Sequence, residues 1–152
     1  FAAWVMVMLL WTTGTITAGA GTVTVLHTGS LRGDYERLAG VGTILEEQRA
    51  AGHPTLLVHA GGSFPSWESG FMHAEARSLT VYTINRAGYA VIALDEGDLV
   101  GDLSRRLREA AFSVVGSNLY QADSGRPPFQ VQPYAILPVG GVRIAVVGLA
   151  RG

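Results

Sequence analysis

From Thr22 onward, short β-branched runs alternate with longer stretches whose apolar residues recur every three to four positions. Short apolar runs read as strands and the 3.6-residue period as helices, so the alternation predicts βαβ units around a largely parallel sheet. Strands are expected at residues 23–27, 55–59, 89–94 and 112–116. Between the first two, residues 37–51 place Leu38, Val41, Ile44 and Leu45 on one face and Glu46, Glu47 and Arg49 elsewhere, which predicts an amphipathic helix ended near Gly52 and Pro54. A second helix is expected over 72–86, stopped by Gly88. Asp102 is placed to cap a third helix through residue 111. Beyond it the texture changes. Asp123, Ser124, Gly125, Arg126, Pro127 and Pro128 make a turn-rich surface loop, and residues 134–137 and 142–149 predict two strands joined by a Gly140-Gly141 hairpin. No repeat, low-complexity tract or linker breaks this pattern, so 152 residues with 48% hydrophobic content predict one α/β domain or part of one.

Residues 1–11 are apolar and uncharged, and the Ala18-Gly19-Ala20 that follows fits the small-residue pattern of a signal-peptidase site. Thr12, Thr13 and Gly14 break the apolar run short of the roughly 20 residues that a spanning helix needs. Residues 1–20 are therefore read as a secretory signal cleaved after Ala20. Without a basic n-region or an initiating Met, the sequence is expected to begin inside that signal. Export to the periplasm or the exterior follows, with no membrane association beyond the signal itself. A formal net charge of -1 offers no whole-chain attraction to nucleic acid. The absence of Cys excludes disulfides, thiolate metal sites and cysteine nucleophiles. No nucleophile elbow, Walker loop or dinucleotide glycine pattern is present.

In open α/β sheets, ligands and catalytic groups gather beyond the carboxyl ends of the strands, which singles out the loops after His27, His59, Leu94 and Gly116. The first of these, Val25-Leu26-His27-Thr28-Gly29-Ser30-Leu31-Arg32-Gly33, resembles the I-L-H-T-N-D-L-H-G segment that opens the 5′-nucleotidase-type metallophosphoesterases. Residues 56–64 resemble that family's L-L-x-D-A-G-D-x-F. Asn118-Leu119-Tyr120 resembles its N-x-Y, and residues 141–149 resemble its G-V-K-I-G-V-I-G-L. Order and spacing agree from Thr22 to the end. The resemblance implies a metallophosphoesterase-like layered fold, with residues 21–152 forming the N-terminal half of an incomplete domain and the later histidine motifs lying beyond Gly152.

That family holds two divalent metals, which activate a hydroxide and stabilise the charge developing at phosphorus. Aligned on the motifs, Ser30 stands at a ligand Asp, Arg32 at a ligand His and Gly62 at the bridging Asp. The family's G-N-H-E reads Asp95-Glu96-Gly97-Asp98, which sets Glu96 at a ligand Asn and Gly97 at the catalytic His. Neither glycine offers a ligand, and Arg32 brings a fixed positive charge to where a cation would sit. No cofactor is expected, and divalent metals only if the site has been rebuilt. His27, His59, Asp95, Glu96 and Asp98 all fall near strand ends and are the residues from which such a substitute transition-metal site would be made. The plainer role of a strand-end His is a backbone hydrogen bond.

Arg32 is also a candidate anion contact beside Gly61 and Gly62, against an ordinary surface pairing with Asp34 or Glu36. Arg105, Arg106 and Arg108 read as the solvated face of a helix whose Leu103 and Leu107 point inward. Trp67 and Phe71 read as packing against the sheet, or as an aromatic contact surface. The reading that joins these features is an exported relative of the 5′-nucleotidase-type hydrolases that is catalytically inactive or reassigned. Its rivals are an active hydrolase of nucleotides or other phosphate or sulfur esters with a rebuilt metal site, and a non-catalytic binding or scaffold domain. The sequence leaves the partner open.

Overall fold

A computed structural model describes residues 22–65, 73–99 and 103–150. Along the chain run β1 (Thr24–Thr28), α1 (Tyr35–Ala50), β2 (Thr55–His59), α2 (His73–Ala87), β3 (Val91–Ala93), a 3-10 turn (Glu96–Leu99), α3 (Leu103–Leu107), β4 (Ser113–Val115), β5 (Val131–Gln132), β6 (Tyr134–Val139) and β7 (Val142–Val147). Strands β1 to β5 pair in sequence order, all in parallel. Right-handed crossovers between successive parallel strands put the connecting helices on one face. That face holds the main core, where Leu38 and Leu45 of α1, Val81 and Ile84 of α2 and Leu107 of α3 pack with Leu57, Ile92 and Val114 of the sheet. Full burial of each Leu or Ile contributes roughly 1.5–3 kcal/mol. The opposite face carries Val58, Val91, Ala93 and Val115, which meet Ala135, Leu137 and Val146 of the antiparallel β6–β7 pair. The expected parallel sheet, flanking helices and hairpin are all present. The hairpin closes on the Val139–Val142 pair, so its loop is Gly140-Gly141, with φ of 57° and 80°. A two-residue turn with both central residues left-handed matches the twist of the strands it joins and favours glycine.

Several details differ from expectation. Helix α1 begins at Tyr35, two residues early, because the Asp34 carboxylate accepts the Arg37 N–H at 3.1 Å and caps it. Its buried stripe is Leu38, Gly42 and Leu45, while Ile44 faces outward. The cause is the crossing with α2, since a Cβ on Gly42 would lie 3.0 Å from Ala87 Cα. Helix α3 stops at Leu107, because the Asn85 side chain on α2 donates to the Glu109 carbonyl at 2.7 Å and accepts the Ala111 N–H at 2.8 Å. Those groups would otherwise have continued the helix. Strand β5 was not expected. It is two residues long and is held to β4 by the Gly116 N–H donating to Gln132 O at 2.8 Å. The signal segment 1–20, Trp67, Phe71 and the Asp102 cap lie outside the described residues. No helix among the described residues is long and apolar enough to cross a membrane.

Candidate functional site

Three loops meet at the carboxyl edge of the sheet. After β1, the N–H groups of Ser30, Arg32 and Gly33 donate to the carbonyls of Gly61, Gly62 and Ser63 at 2.8, 2.7 and 3.2 Å, so the first loop is zipped by backbone to the second. Ser30 and Arg32 are left-handed, with φ of 54° and 45°, and both side chains are exposed. Non-glycine residues in this region store strain of about 1 kcal/mol or more, retained only where the surroundings dictate the backbone. Here the zipper dictates it. Among the described residues Arg32 makes neither of the pairings considered for it, with Asp34 or with Glu36, and the Asp34 carboxylate turns to Arg37 at 3.2 Å.

The second loop closes on Asp98, from the 3-10 turn after β3. Its side chain has no exposed surface. One carboxylate oxygen accepts the N–H groups of Gly62 at 2.9 Å and Asp95 at 3.1 Å, and the other those of Ser63 at 2.9 Å and Phe64 at 3.0 Å. Four donors around one carboxylate fit its ionised, acceptor-only form. Burial pushes the carboxyl above its ordinary value, while the N–H donors of Phe64, Asp95 and Gly62 pull the other way. Asp95 completes the turn by accepting the Asp98 N–H on its own carboxylate at 3.1 Å.

His59, at the end of β2, is 2% exposed. Its Nδ1 lies 2.7 Å from Thr28 Oγ1, which lies 2.8 Å from the Tyr89 hydroxyl, and the Tyr89 ring stands edge-on to the imidazole with centroids 5.8 Å apart. Nε2 is buried with no hydrogen-bond partner among the described residues. Burial therefore lowers the His59 pKa to about 4, a shift only partly offset by the Gly62 backbone and the Asp95 charge. Burial also raises the Tyr89 pKa, opposed by the Thr28 hydrogen bond. His59 is thus a core residue with Nδ1 engaged by Thr28.

The candidate residues are thus divided. Gly62, Asp95 and Asp98 come together in one junction, with His59 beneath it. His27 does not join them. Pairing sets Thr28 beside His59 and His27 beside Val58, and side chains alternate along a strand, so His27 leaves the opposite face of the sheet and is exposed. Glu96 is exposed on the first turn of the 3-10 segment. Among the described residues, no three His, Asp or Glu side chains converge to hold a metal ion. The dinuclear centre that the resemblance implies does not fit this donor set. Of Ser30, Arg32, Gly62 and Glu96 one alone carries a carboxylate, and a Cβ on Gly62 (φ 71°) would meet Ser30 Cα at 2.8 Å and Asp95 Oδ2 at 3.2 Å.

Three residues around this junction were missed or misread from sequence. Arg106 is buried, not solvated. Its guanidinium donates to the Asp98 carbonyl at 3.1 Å and lies 4.6 Å from the Phe64 ring centroid, a cation–π contact that holds α3 over the second loop. Arg105 and Arg108 are exposed as expected. Thr28 stood inside the first motif without a role assigned to it and Tyr89 in no motif, and only the fold brings them to His59. By contrast, the Asn118 amide was visible as part of N-x-Y. It donates to Ala150 O at 2.7 Å and accepts the Ala150 N–H at 2.9 Å, tying the end of β4 to the segment after β7.

No family model matches the chain. Over 142 residues it is 29% identical to the protein UshA of Yersinia enterocolitica, an alignment that covers 84% of this chain and 25% of that protein. Among solved structures it is similar to a 5′-nucleotidase precursor from Thermus thermophilus, with a TM-score of 0.69 and 22% identity over 84% of this chain and 28% of the other. It is also similar to the NAD nucleotidase of Haemophilus influenzae, with a TM-score of 0.67 and 18% identity over 84% of this chain and 26% of the other. In sequence the chain is similar to UshA and in fold to these two nucleotidases, and it spans about a quarter of the length of those it matches.

Proposed function

We propose that the chain belongs to an exported protein of the 5′-nucleotidase-type metallophosphoesterase family whose site is catalytically inactive or reassigned, so that it neither assembles the dinuclear metal centre nor turns over nucleotides. The observation that carries the proposal is Gly62. At the position of the bridging carboxylate the chain has no side chain, and the space beside it is taken by Ser30 Cα and the Asp95 carboxylate. A metal-bound hydroxide depends on converging oxygen and nitrogen ligands to bring the pKa of water near neutrality. The withdrawal of His59 into the core and the engagement of both Asp98 oxygens by backbone N–H groups support the same reading. The full-length protein is expected to release phosphate from 5′-nucleotides, and to cleave NAD, no faster than a buffer control. Brisk hydrolysis of either would contradict it.

Residues 1–20 are proposed as the export signal and 21–152 as the N-terminal half of the metallophosphoesterase-like domain. N-terminal sequencing of the secreted protein should begin at Gly21. Recovery of an uncleaved apolar segment in the membrane fraction would count against a processed signal.

A further inference from the structure

We infer that the loop after β2 is an anion-binding nest permanently filled by the chain's own Asp98 carboxylate, and that this internal tie, rather than a bound cation, joins the loops at the carboxyl edge. The inference deepens the proposed loss of the metal centre and rests on it. Successive N–H groups turned to one side by left-handed backbone form a concavity that attracts anions. Gly61 and Gly62 supply that backbone with φ of 99° and 71°, and the N–H groups of Gly62, Ser63 and Phe64 converge on one carboxylate. The fourth donor, Asp95 N, comes from the loop after β3, so one side chain binds two loops. The β1 loop is zipped to the second by three backbone bonds and is held through it. Arg106 fixes the same residue from behind through the Asp98 carbonyl. In a metal-dependent relative, cations binding ligands from these loops would draw them together. Here the ligand positions are Ser30, Arg32, Gly62 and Glu96, which do not fit that role, and the anion is covalently part of the chain.

The test uses thermal unfolding of the full-length protein. Chelator, manganese and zinc should each leave the wild-type melting temperature unchanged within about 1 °C, since a ligand that does not bind cannot shift stability. Asp98→Ala should melt roughly 10 °C lower or more, because it leaves three buried donors and one part-buried donor unmatched. Formate at about 100 mM should raise the melting temperature of Asp98→Ala but not of wild type, by refilling the nest. If Asp98→Ala does not fold, hydrogen exchange on the wild type in chelator decides. Slow exchange at the Gly62, Ser63 and Phe64 amides supports the tie, and exchange at the rate of an open loop overturns it. An Asp98→Ala protein that melts with the wild type would also overturn it, as would a large drop on chelation. Metal binding by calorimetry combined with a destabilised, formate-rescued Asp98→Ala would sink the proposed loss of the metal centre while leaving the nest intact.

Discussion

The loops after β1 and β2 lie side by side, joined by three backbone hydrogen bonds, yet they solve the same backbone problem in opposite ways. In the second loop the left-handed positions are glycines, residues 61–64 are buried, and Asp98 satisfies three consecutive N–H groups. In the first, the left-handed positions are Ser30 and Arg32, and their side chains reach solvent. Two of the family's ligand positions therefore lie on a surface where side-chain size is unconstrained, while the third sits in close-packed backbone. The proposed loss of the metal set would be superficial at Ser30 and Arg32 and structural at Gly62.

The contrast can be broken most forcefully at Gly62. Gly62→Asp, which restores the family's bridging residue type, should destabilise by about 3 kcal/mol or more, combining a left-handed non-glycine with overlap onto Ser30 Cα. Chemical denaturation is the check, and a neutral effect would mean that the loop can yield to a ligand.

The next effect is on acid stability. The His59 pKa is lowered from 6.5 to about 4 in the fold. Above pH 6.5 the residue is neutral in both states and contributes nothing to pH dependence. As pH falls from 6.5 towards 4, the unfolded chain takes up a proton that the folded chain refuses, so stability falls, by about 3 kcal/mol in all. His59→Gln should flatten the stability profile across that window. An unchanged slope would show that the imidazole is not the cause.

Smaller changes probe the first loop. Asp34→Ala removes the cap of α1 and should cost about 1 kcal/mol. Arg32→Gly should instead stabilise by roughly 0.5–1 kcal/mol, as relief of left-handed strain outweighs the added freedom of the unfolded chain. Destabilisation by Arg32→Gly would reveal a contact of the guanidinium that its exposure conceals.

The sheet was legible because each buried strand is a short β-branched run separated from the next by a helix-period segment. The Gly140-Gly141 turn was legible because two adjacent glycines between apolar strands fit little else. The loops of interest were placed by their motifs. What those loops do was less legible. Asp98 lies 36 residues from Gly62, and nothing local in Asp95-Glu96-Gly97-Asp98 separates a metal-site carboxylate from one spent on backbone amides. His59 needs the register of β1 against β2 to find Thr28, and that register also sends His27 to the other face. Arg106 looked solvated because a helical face cannot reveal that Phe64 lies beneath it. Ile44 failed for a related reason. The burial of α1 is set by a close crossing at Gly42, a residue with no hydrophobicity to display.

Calorimetric titration of the full-length protein with manganese and with zinc tests the proposed absence of a dinuclear centre most directly. The structure of the junction predicts no saturable binding at two ions per chain, because the four ligand positions of these loops hold a hydroxyl, a guanidinium, a bare glycine and one exposed carboxylate. Tight uptake of two ions per chain would contradict it.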